Sequence, residues 1–103
     1  MLPSLLIVCI FAPIGEELLF RGYILKGLLK KHGTVVALLI STVLFAVSHV
    51  NIISVINAFI MGIVFGLLYI KRGSIFSCML AHVLYNSMAV YVMNYYPYNL
   101  PFF

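Results

Sequence analysis

Acidic residues are almost missing from this chain of 103 residues: the only two carboxylate side chains are Glu16 and Glu17, and they are adjacent. Charged residues of both signs make up 8% of the sequence and hydrophobic ones 65%, with a mean hydropathy of +1.21. A soluble domain, with about a quarter of its residues charged, is excluded. Residues 33–70 and 73–103 carry no formal charge at all. The first of these runs is about twice the ~20 apolar residues that one membrane crossing takes, so it predicts two helices and a turn. The opening Met1-Leu2-Pro3-Ser4 lacks a basic region, and no small-residue cleavage site follows, so a secretory signal is not indicated and the segment reads as the first half of a helix. Cys9 and Cys78 stand alone in apolar surroundings, without C-x-x-C spacing, and read as small apolar fillers. With no repeat, low-complexity stretch or linker, residues 1–103 read as a single domain, either complete or the truncated core of something longer.

The net charge of +4 comes from Arg21, Lys26, Lys30, Lys31, Lys71 and Arg72. A nucleic-acid-binding surface would scatter or stripe its cations over a solvated face, whereas most of these sit in two short clusters between apolar segments, where they mark the ends of membrane spans. The positive-inside rule places both clusters in the cytoplasm. The fold predicted is an all-α, polytopic membrane helix bundle of about four transmembrane helices, over roughly 3–29, 34–50, 53–70 and 74–95. Pro13 should bend or restart the first helix, because its ring cannot donate to the carbonyl of Cys9. Both chain ends and the Asn51-Ile52 turn would face outward, with Tyr95-Tyr96-Pro97-Tyr98 as an interfacial aromatic belt. The chain reads as a multi-pass integral membrane protein, of the cell membrane, with the lipid bilayer as its first partner.

Ionisable groups inside a membrane are costly and therefore paired, facing a wet cavity, or chemically employed. Glu17 and Arg21, four residues apart, share a helix face and predict a salt bridge. Glu16 lies roughly 140° around the same helix from Arg21 and is left without an evident partner. The remaining polar groups are His49, four residues after Phe45, and His82, four residues before Asn86. Measured from the basic loops at ~1.5 Å per residue, Glu16, His49 and His82 fall roughly 18, 22 and 12 Å deep, compatible with convergence near the middle of the bilayer. The bland alternatives are that both glutamates pair with Arg21 or Lys26, and that each histidine is an interhelical hydrogen-bonder.

In that order, Glu16-Glu17-x-x-x-Arg21, Phe45-x-x-x-His49 and His82-x-x-x-Asn86 resemble the signature motifs of the CPBP family, the CAAX proteases and bacteriocin-processing enzymes also called the ABI family. The resemblance covers about residues 13–86. It implies an intramembrane endopeptidase in which Glu16 and His49 activate a water, His82 and Asn86 stabilise the oxyanion, and Glu17, Arg21 and Phe45 are structural support. It also implies a peptide or protein substrate, lipidated in the case of eukaryotic relatives. Some family members are described as metalloproteases, and zinc on Glu16, His49 and His82 is the alternative site; without an H-E-x-x-H motif, a mechanism with no metal or other cofactor is favoured. Two other functions remain on the same residues: a membrane-embedded binding or bacteriocin-immunity protein that does not cut, and a small proton or metal pathway, which four short helices would form only by oligomerising.

Overall fold

The fold is that of a computed structural model, which describes residues 2–95. Those residues form four helices joined by short turns: α1 Leu2–Lys31, α2 Thr34–Val47, α3 Ile52–Arg72 and α4 Ile75–Tyr95. The stops and starts follow from local chemistry. Lys30 and Lys31 occupy the last turn of α1, and Lys71 and Arg72 that of α3, where cations face the free carbonyls and the negative end of the helix dipole. The side chain of Asn51 caps α3 by accepting from the Ser54 amide at 2.9 Å. Gly73 ends that helix at φ 65°, a left-handed conformation in which a Cβ would be strained, and its N–H donates to the Tyr69 carbonyl at 2.7 Å.

Helix α1 is not regular. It alternates between α turns and two π-helical stretches, Ile7–Phe11 and Leu18–Leu25, flanking the α turns Ala12–Glu17. The chain does not break at Pro13: Phe11 and Ala12 keep helical dihedrals into it, and regular α turns begin at Ala12 with Pro13 in the first of them. Widening takes the place of a break. The Ala12 amide donates to Ile7, five residues back, and in that register the missing N–H of Pro13 deprives Val8 rather than Cys9.

The distribution of polarity is inverted relative to a soluble protein. Leu18, Leu19, Val35, Ile56, Ile60 and Phe76 are exposed, while Glu17, Arg21, Ser41, Thr42, Ser54, His82 and Asn86 are buried. Such an arrangement suits hydrocarbon outside and a paired polar interior. Three helices, α1, α3 and α4, are long and apolar enough to cross a membrane. Helix α2 has 14 residues, about 21 Å, short of the ~30 Å hydrocarbon core. It stops at Val47, three residues before the predicted end, because the chain folds back on its last carbonyls: Ser48 Oγ donates to Phe45 O at 2.6 Å and the His49 amide to Ala46 O at 3.1 Å. Of the expected aromatic belt, Tyr95 stacks on Tyr91 at 5.6 Å, and positions 96–98 lie outside the described residues.

Small residues bring α2 and α3 together. Ala37 and Ser41 on one helix, and Ala58, Gly62 and Gly66 on the other, recur every four residues and are all buried. At Gly62 a Cβ would stand 3.0 Å from Thr42 Cγ2 and 3.2 Å from Phe45 Cδ2. That close approach exposes the Gly62 carbonyl to the bundle interior, where it becomes part of the polar network.

Candidate active site

The network begins with an i, i+4 pair on α1. Arg21 donates to Glu17 Oε2 at 2.9 Å, both side chains being fully buried, and its second terminal nitrogen donates to the Gly62 carbonyl of α3 at 3.0 Å. The guanidinium carbon lies 4.7 Å above the Phe45 ring and 5.6 Å from that of Phe65, so the cation meets aromatic faces where it does not meet oxygen. The expected Glu17–Arg21 salt bridge is therefore present, and Phe45 supports it.

Glu17 has a second partner that spacing alone could not reveal. His82 Nδ1 on α4 lies 2.7 Å from the same Oε2. A carboxylate accepts, so the proton of that contact belongs to Nδ1, and the opposite nitrogen, Nε2, is turned towards Glu16 Oε2 at 3.7 Å. The imidazole packs on Phe65, ring centres 4.8 Å apart, and meets the edge of Phe45 at 5.9 Å. Carboxylate and aromatic neighbours thus hold the ring at one nitrogen and along its faces. Glu16, in contrast to Glu17, keeps a third of its side-chain surface exposed and has no cation of its own on α1.

His49 lies just past the end of α2 rather than on the same regular helix as Phe45. Its Nδ1 donates to the Phe45 carbonyl at 3.0 Å, and its ring meets the Phe45 ring edge-on at 5.2 Å. In a neutral ring the lone pair then belongs to Nε2. Asn86, one turn beyond His82, is buried, and its Nδ2 donates to Val8 O at 3.1 Å. This is the carbonyl that Pro13 leaves without a backbone donor.

Glu16, His49, His82 and Asn86 all line one cavity of about 580 Å³, whose other walls are mostly apolar, among them Phe20, Phe45, Met61 and Phe65. Three separate parts of the chain converge there: the middle of α1, the turn after α2 and the centre of α4. Among the polar lining residues that were not foreseen are Tyr85 and Asn57, the Tyr85 hydroxyl donating to Asn57 Oδ1 at 2.8 Å. Neither belongs to a motif, and a lone Asn or Tyr in an apolar run carries no signal until the fold shows which face is inward. Among the described residues no group of three or more His, Cys, Asp or Glu side chains is arranged to hold a metal ion.

Comparison with known proteins places the chain in a family. Residues 1–88 match the sequence model described as "Type II CAAX prenyl endopeptidase Rce1-like". A curated relative from Bacillus subtilis (strain 168), described as "Putative membrane peptidase YdiL", is 34% identical over 89 residues, covering 85% of this chain. The chain spans only 36% of that relative's length. No solved structure matches. A multi-pass helical bundle carrying the ordered Glu-Glu-Arg, Phe-His and His-Asn motifs, and matched along most of its length, belongs to the Rce1-like family of type II CAAX prenyl endopeptidases.

Proposed function

We propose that the chain is an intramembrane endopeptidase that hydrolyses a peptide bond with a water activated by Glu16 and His49. The observation that carries this reading is the convergence of Glu16, His49, His82 and Asn86 on one cavity, with Glu16 Oε2 3.7 Å from His82 Nε2. Water placed there would give one proton to the Glu16 carboxylate while Nε2 of His49 accepts a hydrogen bond from the other. Its oxygen bonds to the scissile carbonyl carbon, and the π electrons move onto the carbonyl oxygen. Donors aimed at that oxygen are the second N–H of Asn86 Nδ2, whose first is engaged by Val8 O, and Nε2–H of His82. For Nε2 to donate, His82 carries protons on both nitrogens in this step, with the Glu17 carboxylate beside Nδ1. Glu16 then returns its proton to the leaving amine as the C–N bond breaks. General-base catalysis contributes typically ~10²–10⁴-fold, and each oxyanion donor about 10²–10³-fold.

The family description makes a prenylated C-terminal tail the first substrate to test, and the largely apolar walls of the cavity suit a peptide that arrives from the bilayer. The basic ends of α1 and α3 are assigned to the cytoplasmic face.

The experiment is incubation of the purified chain, in phospholipid vesicles, with an internally quenched peptide ending in a farnesylated CAAX tail, followed by mass spectrometry. Two peptide products that sum to the substrate plus one water support the proposal. Peptide recovered intact but bound to the protein contradicts it and favours a binding or immunity role.

A further inference from the structure

We infer that Glu17 is a positioning residue for the reaction: its carboxylate fixes the ring of His82 through Nδ1, so that Nε2 is the nitrogen presented to Glu16 and the cavity. The sequence alone gives Glu17 a different task, neutralising Arg21, and that task is fulfilled. Both contacts, however, use one oxygen. Oε2 accepts from Arg21 at 2.9 Å and from His82 Nδ1 at 2.7 Å, which ties the cation, the carboxylate and the imidazole into one rigid line running from the Gly62 carbonyl on α3 to the centre of α4.

Three features argue that this line sets the chemistry of His82 rather than only filling a polar interior. An imidazole has two nitrogens, and which one bears the proton is decided by the stronger acceptor beside it. Here a fully buried carboxylate takes Nδ1, while Oε2 of the partly exposed Glu16 stands 3.7 Å from Nε2, beyond hydrogen-bond distance. Rotation of the ring by a half-turn is opposed by the Phe65 face at 4.8 Å and the Phe45 edge at 5.9 Å. Finally, Glu17 is itself held in place, by Arg21 and through it by Gly62 O, so the acceptor cannot follow a moving ring. Carboxylates that orient metal-ligating histidines from behind are typically worth about 10–100-fold in affinity or activity, and an effect of the same order is expected of Glu17 behind His82. Glu17 is not among the residues that line the cavity, so its effect on the reaction passes through His82.

The inference rests on the peptidase reading, and the test separates the two. The chain, labelled with ¹⁵N-histidine, is examined by NMR in lipid nanodiscs, and the His82 signals are assigned by their disappearance in His82→Gln. The proton is expected on Nδ1 in the wild type. Because Glu17→Gln alone strands a buried Arg21, the variant compared is the double substitution Glu17→Gln with Arg21→Met, which removes both charges together. In it, the Nδ1–H signature should weaken or give way to a mixture of tautomers, and kcat on the quenched farnesylated peptide should fall about 10–100-fold, with KM changed less than about 3-fold. A wild-type His82 protonated on Nε2 alone overturns the inference, as does a folded double variant in which either the histidine signature or kcat is unmoved. Should the double variant not fold, the wild-type spectrum alone decides. An inactive wild type whose His82 bears its proton on Nδ1 defeats the peptidase reading and leaves the geometry of Glu17 standing; an active wild type protonated on Nε2 alone does the reverse.

Discussion

The carbonyl oxygen of Val8 accepts from Asn86 Nδ2 at 3.1 Å, joining the first turns of α1 to the centre of α4. The contact exists because of a proline. In the π-helical register of Ile7–Phe11 the donor due to Val8 is the nitrogen of Pro13, which has no hydrogen, and an orphan carbonyl in an apolar medium costs several kcal/mol unless something meets it. Asn86 does so, and its amide is thereby oriented.

Replacing Pro13 by alanine should accordingly harm the site without harming the fold. Pro13→Ala supplies a backbone N–H that competes for Val8 O and releases Asn86. Turnover should drop about 10-fold, equivalent to ~1.4 kcal/mol of lost transition-state stabilisation, with the detergent unfolding temperature unchanged or raised. A variant as active as the wild type would separate Asn86 from the proline.

The buried ion pair makes a prediction of the opposite kind, about stability. Arg21→Met leaves the Glu17 carboxylate buried at the centre of the bundle with its cation gone, and should destabilise the protein by about 3–5 kcal/mol. Removing both charges, with Glu17→Gln added, should recover most of that loss. Chemical unfolding followed by circular dichroism in detergent measures it, and equal instability of the single and double variants would show that the pair is not the source.

Close approach of α2 and α3 at Gly62 is tested by adding one methyl group. In Gly62→Ala the new Cβ meets Thr42 and Phe45 at 3.0 and 3.2 Å and the Arg21 terminal nitrogen at 3.6 Å, so α2 must give way and the aromatic support of Arg21 with it. A loss of about 1–3 kcal/mol is expected, together with reduced turnover. Gly15→Ala is the control, since a Cβ there meets nothing within 4 Å.

Much of this arrangement is legible in the sequence, and for identifiable reasons. Charge-free runs and basic clusters locate four helices because the bilayer penalises every charge between them. The spacing of Glu17 and Arg21 is enough to pair them because both lie on one helix, where geometry is fixed by 3.6 residues per turn. What escapes are contacts between helices. Nothing in the order of residues shows that Glu17 reaches His82 across 65 positions, that Gly62 offers a carbonyl to Arg21, or that Tyr85 and Asn57 share the cavity wall. The register within α1 also escapes. A proline signals a fault, but whether the helix breaks or widens depends on what can meet the freed carbonyl, and here that is Asn86, 78 residues away.

Metal dependence has a direct expectation. With no three-ligand cluster among the described residues, turnover should survive prolonged dialysis against a strong chelator, and elemental analysis should find zinc well below one equivalent. Stoichiometric zinc with chelator-sensitive activity would require Glu16, His49 and His82 to rearrange into a ligand set.

Glu16 holds the central place, as the partly exposed carboxylate of the cavity, and Glu16→Gln replaces one carboxylate oxygen by an amide nitrogen while keeping the side chain's shape. Single-turnover cleavage of the quenched farnesylated peptide by the purified variant, at matched circular dichroism and unfolding temperature, is the most direct measurement. A fall of ~10²–10⁴-fold is expected for loss of the general base. Cleavage at the wild-type rate by a folded Glu16→Gln protein would contradict the assignment of Glu16 as the group that activates water.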